Sequence, residues 1–330
     1  MKPFSYVRPT TTEAATRERA TGATLLAGGT NLLDLMKLQV MQPDRLADIN
    51  RIAQLRGITT DGAGNTHIGA LTTNADVAAH PHILHHYPVL SHAIVAGASG
   101  QIRNMATTAG NLMQRTRCVA FYDRAAACNK RHPGSGCAAM GGGNRMNAII
   151  GGSEQCISVH PSDMAVALCV LDARVCTQRA NGQGREIPIA DFHRLPGDTP
   201  HMETVLQADE MITSIMIPPT PIGRQTYRKV RDRASYAFAL VSVAAIVQVR
   251  QGYIQEARFA FGGIAPRPWR IGTAEQALMG QQPTPAILSH AADIALTGAK
   301  GHGDNDFKIP LARRTLMQVL TILSREDEND

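Results

Sequence analysis

Residues 25–37 read LLAGGTNLLDLMK. ATLLAGG has the pattern of a buried strand ending in glycines, and NLLDLMKLQ that of a helix. Gly28 and Gly29 therefore fall between strand and helix. Without a Cβ they let backbone N–H groups approach a ligand closely. The helix start at Thr30 and Asn31 favours negative charge, and these two side chains add donors. The combination suits a pyrophosphate. A plain strand–helix turn has the same pattern, because the spacing is neither a Walker A nor a GxGxxG arrangement.

Working outward, a second loop shares this character. Residues 97–112, GASGQIRNMATTAGNL, place Gly97, Gly100 and Gly110 among Ser99, Thr107, Thr108 and Asn111. Small donors dominate and bulky side chains are few. Two such loops in one chain suggest one extended ligand gripped at more than one point, and a dinucleotide fits that description.

The rest of the chain frames these loops. At 330 residues it exceeds the usual single-core size, and 44% apolar with 18% charged residues is a globular composition. The net charge of +6 is spread without blocks, and seven Phe, six Tyr and one Trp show no basic–aromatic pattern, which argues against nucleic acid. No stretch reaches the ~18–20 apolar residues of a membrane span. The first residues show no apolar h-region, so no export signal is expected there. Hairpin strands are expected within 57–73, a helix from near Asn74, and helices interrupted at Pro88. A helix leading into a strand follows across 163–178, then a strand at 210–218. Residues 220–226 read as a linker. Two long strands meet at Gln251-Gly252, and three helices end the chain. This order predicts α+β units rather than one βαβ array. Residues 113–155 have almost no period, and the acidic tail SREDEND (324–330) reads as unstructured.

LLAGGTNLLDLMK, GASGQIRNMATTAGNL and HPSDMAVALCVLDA (160–173), with the later YRKVRDRASYAFALVSVA (227–244) and FGGIAPRPWR (261–270), resemble the FAD-binding subunits of the xanthine dehydrogenase family of molybdenum hydroxylases. The resemblance runs from Pro3 to Leu323 in the family's order. It is nearest to the three-subunit periplasmic aldehyde oxidoreductases of bacteria. It implies a two-subdomain FAD-binding fold of the PCMH/vanillyl-alcohol-oxidase type over 1–220 and a sheet-and-helix flavoprotein domain over 224–330. It also implies roles. Leu26, Ala27, Gly28, Gly29, Thr30, Asn31, Leu32 and Leu33 would wrap the FAD pyrophosphate. Thr107, Thr108, Gly110 and Asn111 would form a second wall. Asp163 would accept hydrogen bonds from FAD hydroxyls, Ile212 would contact the cofactor, and Lys229 would lie near the flavin. Read without the family, Asp163 is equally a helix N-cap and Lys229 an exposed strand lysine. The implied partners are a small [2Fe–2S] subunit and a large molybdenum-cofactor subunit in a heterotrimer. Without a signal of its own, the chain is expected to reach the periplasm by co-export with a signal-bearing partner. No Ser/His/Asp or hydrolase constellation points to independent catalysis. The alternatives are a nucleotide-binding scaffold with structural zinc and a stand-alone FAD oxidase.

The sequence departs from the commoner family pattern between Asn111 and His160. An insertion at about 113–158 holds Cys118, Cys128, Cys137 and Cys156, four of only six cysteines, spaced C-x9-C-x8-C-x18-C. Spacing alone leaves three readings: two disulfides, a zinc site without the usual knuckles, or an iron–sulfur cluster without the compact ferredoxin spacing. Some relatives that this chain resembles carry an insertion here with a [4Fe–4S] cluster on four cysteines, and the resemblance implies the same for these cysteines. Arg115, Arg117, Arg124, Lys130 and Arg131 are expected to surround the thiolates and lower their pKa values. His132 reads as a surface residue, and Cys169 and Cys176 as core residues.

Overall fold

The computed structural model describes residues 1–325, so most of the acidic tail lies outside the described residues. Three sheets organise the chain. β1 (Ser5–Val7), β2 (Thr24–Leu26) and β3 (Arg45–Asp48) form a parallel sheet in the order β1-β3-β2. Its crossovers are the helices Thr12–Ala20 and Leu32–Lys37. A five-stranded antiparallel sheet follows, from β4 (Ile58–Thr60), β5 (Thr66–Gly69), β6 (Arg174–Arg179), β7 (Gly184–Pro188) and β8 (Glu210–Ile217), in the order β4-β5-β8-β6-β7. The third sheet is an antiparallel meander of β9 (Arg224–Val230), β10 (Val241–Arg250) and β11 (Tyr253–Gly262), with β10 central.

Burial explains the assembly. Met164 to Leu171 is buried on every side, as expected of a helix enclosed all round rather than amphipathic. This helix, Asp163–Val170, packs against the helix Pro88–Ala96 and against β10 and β11. One face of the third sheet (Ala244, Ile246, Ala260) thus joins the core that the five-stranded sheet shares with these helices. The other face (Val243, Phe259, Phe261) packs under the helices Pro285–Ala295 and Lys308–Leu323. Residues 220–226, expected as a linker, already enter β9 at Arg224, whose backbone pairs with Val247.

The glycine loop expected at 97–112 folds instead into two short helices, Gly100–Met105 and Thr108–Leu112. Ser99 and Thr107 supply the reason: each side chain accepts an N–H of the first turn, from Ile102 and Gly110 respectively. The region 113–158 has one short helix, Val119–Tyr122. A small core of its own, with Phe121, Ala139 and Ile157, closes onto Leu35 of the helix behind the first glycine loop.

Candidate functional site

The two glycine loops meet. A Cβ built on Gly28 would stand 1.8 Å from the carbonyl oxygen of Met105, so glycine here is what lets the second loop lie directly on the first. Gly29 adopts φ +73°, a left-handed conformation that turns the strand into the helix. Beside this junction lies a cleft of about 520 Å³, within the range of cofactor sites. Of the residues expected to bind FAD, Ala27, Gly28, Gly29, Thr30, Asn31, Leu32, Thr107, Gly110 and Ile212 line it.

The others do not. Leu26 belongs to β2, and Leu33 lies behind Gly29 in the helix. Thr108 Oγ1 donates to the Thr72 carbonyl. Asn111 donates to Asn74 Oδ1 and accepts from Ser162 and Gln114. Both brace the wall from behind. Asp163 is the first residue of its helix, and Ser162 is the N-cap, accepting from the Ala165 N–H. The Asp163 carboxylate instead pairs with Lys229 at 2.7 Å and accepts from the Tyr227 hydroxyl. Lys229 is therefore no exposed strand lysine: its side chain is 4% exposed. Asp163 faces a second, smaller cavity, which shares Val159 and His160 with the main cleft.

The lining suits an anionic, hydrogen-bonding ligand. Asn31 Oδ1 accepts the Arg115 N–H at 2.8 Å, while Asn31 Nδ2 is a buried donor with no protein partner. Arg19, Arg115, Lys130 and Arg194 contribute positive charge against Glu203, which pairs with Arg115 and Lys130, and Glu210, so the lining keeps an excess of cations. Arg115 also stacks over Phe121 at 4.6 Å and pairs with Glu203, so one residue joins the cleft to the insertion. A pyrophosphate-bearing cofactor fits these residues: glycine backbone on one side, an unpartnered amide donor, and cationic side chains around it.

The sequence reading missed His160 and His193. Their rings lie in contact, tilted by 42° with centroids 3.9 Å apart, and both Nε2 atoms bond the Leu112 carbonyl, at 3.2 and 2.9 Å. Burial pulls His193 down to about 4 and, with His193 beside it, holds His160 well below the usual range. Neutral imidazoles that donate from Nε2 leave Nδ1 as an acceptor, and both Nδ1 atoms are buried without a protein partner. His160 lay within a quoted motif, but nothing in the DFHRLP stretch marks His193.

In the insertion, Cys128 and Cys137 face each other across an isolated antiparallel bridge. Cys118, Cys137 and Cys156 feel one another's charge. Cys118, Cys128 and Cys156 are buried and Cys137 half-buried, all without a disulfide. Among the described residues, no three His, Cys, Asp or Glu side chains converge as they would on a single metal ion. The cationic surround departs from expectation. Lys130 and Arg115 bond Glu203. Arg131 bonds the carbonyls of Ala120 and Phe121, Arg124 bonds Gln39, and Arg117 bonds Tyr122. With these charges occupied elsewhere, burial dominates and pushes the Cys118 and Cys137 thiols up. Backbone N–H groups work in the opposite direction, from Phe121 and Ala120 toward Cys118 and from Ala139 and Ile157 toward Cys137. Four thiols, three of them buried and two approached by backbone N–H groups, are a donor set that suits an iron–sulfur cluster. Cys169 sits deep in the core, its thiol pushed up to about 12 by burial.

Residues 2–220 match the family of FAD binding domains in molybdopterin dehydrogenases, and 225–323 match the CO dehydrogenase flavoprotein C-terminal domain. The chain is 52% identical over 322 residues to the aldehyde oxidoreductase FAD-binding subunit PaoB of Escherichia coli (strain K12), covering 97% of this chain and 98% of that one. It is 27% identical over 321 residues to the glyceraldehyde dehydrogenase medium chain of Sulfolobus acidocaldarius, covering 97% and 96%. The solved carbon monoxide dehydrogenase of Hydrogenophaga pseudoflava matches with a TM-score of 0.76 at 26% identity over 97% of both chains. Fold, cleft and both domain matches agree, and the chain belongs to the FAD-binding medium subunits of the molybdenum hydroxylase family.

Proposed function

We propose that this chain is the FAD- and [4Fe–4S]-carrying electron-transfer subunit of a heterotrimeric molybdenum-dependent aldehyde oxidoreductase. Aldehyde oxidation would occur on a large molybdenum-cofactor subunit, and a small [2Fe–2S] subunit would deliver electrons to this chain. The observation that carries the reading is the cleft in which both glycine loops meet beside the unpartnered donor Asn31 Nδ2. The likeness to PaoB over nearly all of both chains supports the aldehyde assignment.

The residues have separable tasks. Gly28 and Gly29 would bring backbone to the phosphates, Asn31 would donate from Nδ2, and Arg19 and Arg194 would offset negative charge. The paired His160 and His193 would present Nδ1 acceptors. When bound, FAD supplies a carrier that exchanges one or two electrons; the protein supplies binding, orientation and tuning. Cys118, Cys128, Cys137 and Cys156 would hold the cluster, which supplies a one-electron centre. Three buried thiols and one half-buried thiol in one insertion supply the four-cysteine ligand set that such a cluster takes. Location in the periplasm, by co-export with a signal-bearing partner, belongs to the same reading. Fractionation with and without that partner tests it.

The main test is composition and reconstitution. The purified complex should contain flavin, iron and sulfide, with broad brown absorption beneath the flavin bands. This chain alone should bind FAD without oxidising aldehyde, and should be reduced when both partners and aldehyde are added. A colourless chain with stoichiometric zinc would favour a scaffold, and steady aldehyde turnover by the isolated chain would favour a stand-alone oxidase.

A further inference from the structure

Two of the four thiols are hydrogen-bonded to residues outside the cysteine set. Asn147 Nδ2 donates to Cys118 Sγ at 3.3 Å. Ser158 sits against Cys156: its backbone N–H donates to Sγ at 3.5 Å, and its hydroxyl oxygen accepts from the free thiol at 3.3 Å, a contact in which a cluster-bound thiolate, having no proton, would become the acceptor. Asn147 and Ser158 are 3% and 4% exposed. Ser158 also lines the main cleft, so the residue bonded to one thiol forms part of the cofactor wall.

Asn147 is held from the other domain. Lys308, at the start of the last helix, is fully buried, and its Nζ donates to the carbonyls of Asn147 at 2.9 Å and Gly263 at 2.8 Å. Asn305 Nδ2 adds contacts to the Asn147 and Ala148 carbonyls at 3.3 and 3.1 Å. Among the described residues no carboxylate is bonded to Lys308; burial and the charge of Arg145 draw its ammonium down to about 7. A buried lysine bonded to main-chain carbonyls is unfavourable unless the geometry it fixes matters. What it fixes is the turn that presents the Asn147 amide to Cys118.

We propose that Asn147 and Ser158 are positioning residues that set the reduction potential of the four-thiolate cluster, and that Lys308 locks Asn147 in place from the C-terminal domain. This inference rests on the cluster reading above. A donor on a ligand sulfur stabilises the more negative, reduced state and so raises the potential.

The experiment uses the assembled complex, with iron, sulfide and flavin analysis and an EPR-monitored redox titration. Asn147→Leu removes the donor at similar volume, and Ser158→Ala removes the hydroxyl alone. Both should keep full iron and shift the cluster midpoint to a more negative value, Asn147→Leu by more. Lys308→Met should shift it the same way, and adding Lys308→Met to Asn147→Leu should shift it little further. Iron-replete variants that titrate at the wild-type midpoint overturn the proposal. An undiminished Lys308→Met shift in the Asn147→Leu background means that Lys308 acts through its charge, and overturns the lock. If Asn147→Leu loses iron, Ser158→Ala decides by the same midpoint criterion. A wild-type complex without iron and sulfide overturns the cluster reading itself, and this inference with it.

Discussion

The glycine-loop cleft and the cysteine insertion are neighbours that share Leu35 and Arg115, yet they are built on opposite principles. The cleft is a product of regular elements. Gly28 and Gly29 end a strand and open a helix, the capped short helix Thr108–Leu112 forms the facing wall, and the ligand space is what the backbone leaves open. The insertion has almost no regular structure. Its backbone is held by side chains: Arg131 on the carbonyls of Ala120 and Phe121, Asn129 on Gln155, and Asn144 on Ala139 and His302. A backbone-built site should survive most side-chain changes but not a change in backbone approach. A site held by side chains should fail one residue at a time.

The sharpest break of that contrast is a single serine. Cys118→Ser, Cys128→Ser, Cys137→Ser or Cys156→Ser should each lower iron and abolish the reduced cluster's EPR signal, with FAD largely retained. Unchanged iron in all four would remove the cluster from the insertion.

Gly28→Val is the counterpart for the cleft. Its side chain would collide with the Met105 carbonyl and separate the loops, at about 1–3 kcal/mol or more. Flavin occupancy should fall at least ~10-fold, because 1.4 kcal/mol is a tenfold change in binding, while iron remains. Full flavin in this variant would move the cofactor away from the loop junction.

Asp163→Asn tests whether the smaller cavity belongs to the same site. It leaves Lys229 buried without its carboxylate, a loss of about 3–5 kcal/mol for a broken buried pair, readable as a lower Tm. Flavin loss beyond that destabilisation would make Asp163 a direct FAD contact, and normal flavin would make it structural.

A smaller effect comes from acid. The folded state resists protonating His193 until about pH 4, whereas an unfolded histidine takes its proton near pH 6.5. The unfolded chain therefore binds more protons between these values, and stability should fall as pH drops through that window, by roughly 3 kcal/mol in all. His193→Gln should flatten that part of a denaturation-versus-pH curve. Least of all, Cys169→Ser should leave iron unchanged, since this thiol lies in the core away from the other four.

How much of this was legible in advance follows the same divide. Strand, glycine pair and helix at 24–37 announce themselves by period and by turn chemistry, and so do the β10–β11 hairpin at Gln251-Gly252 and the helix at Asp163. Ser99 and Thr107 were visible as donors, but their use as caps depends on where the chain goes next. The inward face of the cleft was only half legible. Thr108 and Asn111 carry the right chemistry but turn it toward Thr72 and Asn74. The pairing of His160 with His193 joins distant segments through the Leu112 carbonyl, which no local pattern encodes. In the insertion the ligand types were plain while the electrostatics were not. Counting Arg and Lys suggested lowered thiol pKa values, but those cations are bound to Glu203, Gln39, Tyr122 and carbonyls.

The helix Asp163–Val170 lies against β10 and β11, and Gly262 is where the approach is tightest, since a Cβ there would meet Val166 at 2.6 Å. The border between the two domains is thus a seam sewn from inside, whatever the covalent connection at its surface. A protease that cuts at the exposed Pro219 or Ile222 should leave two fragments that migrate together under native conditions and part only in denaturant. Separately expressed halves should find each other and rebuild the cleft, and the C-terminal half alone, with one face of its sheet bare, should aggregate.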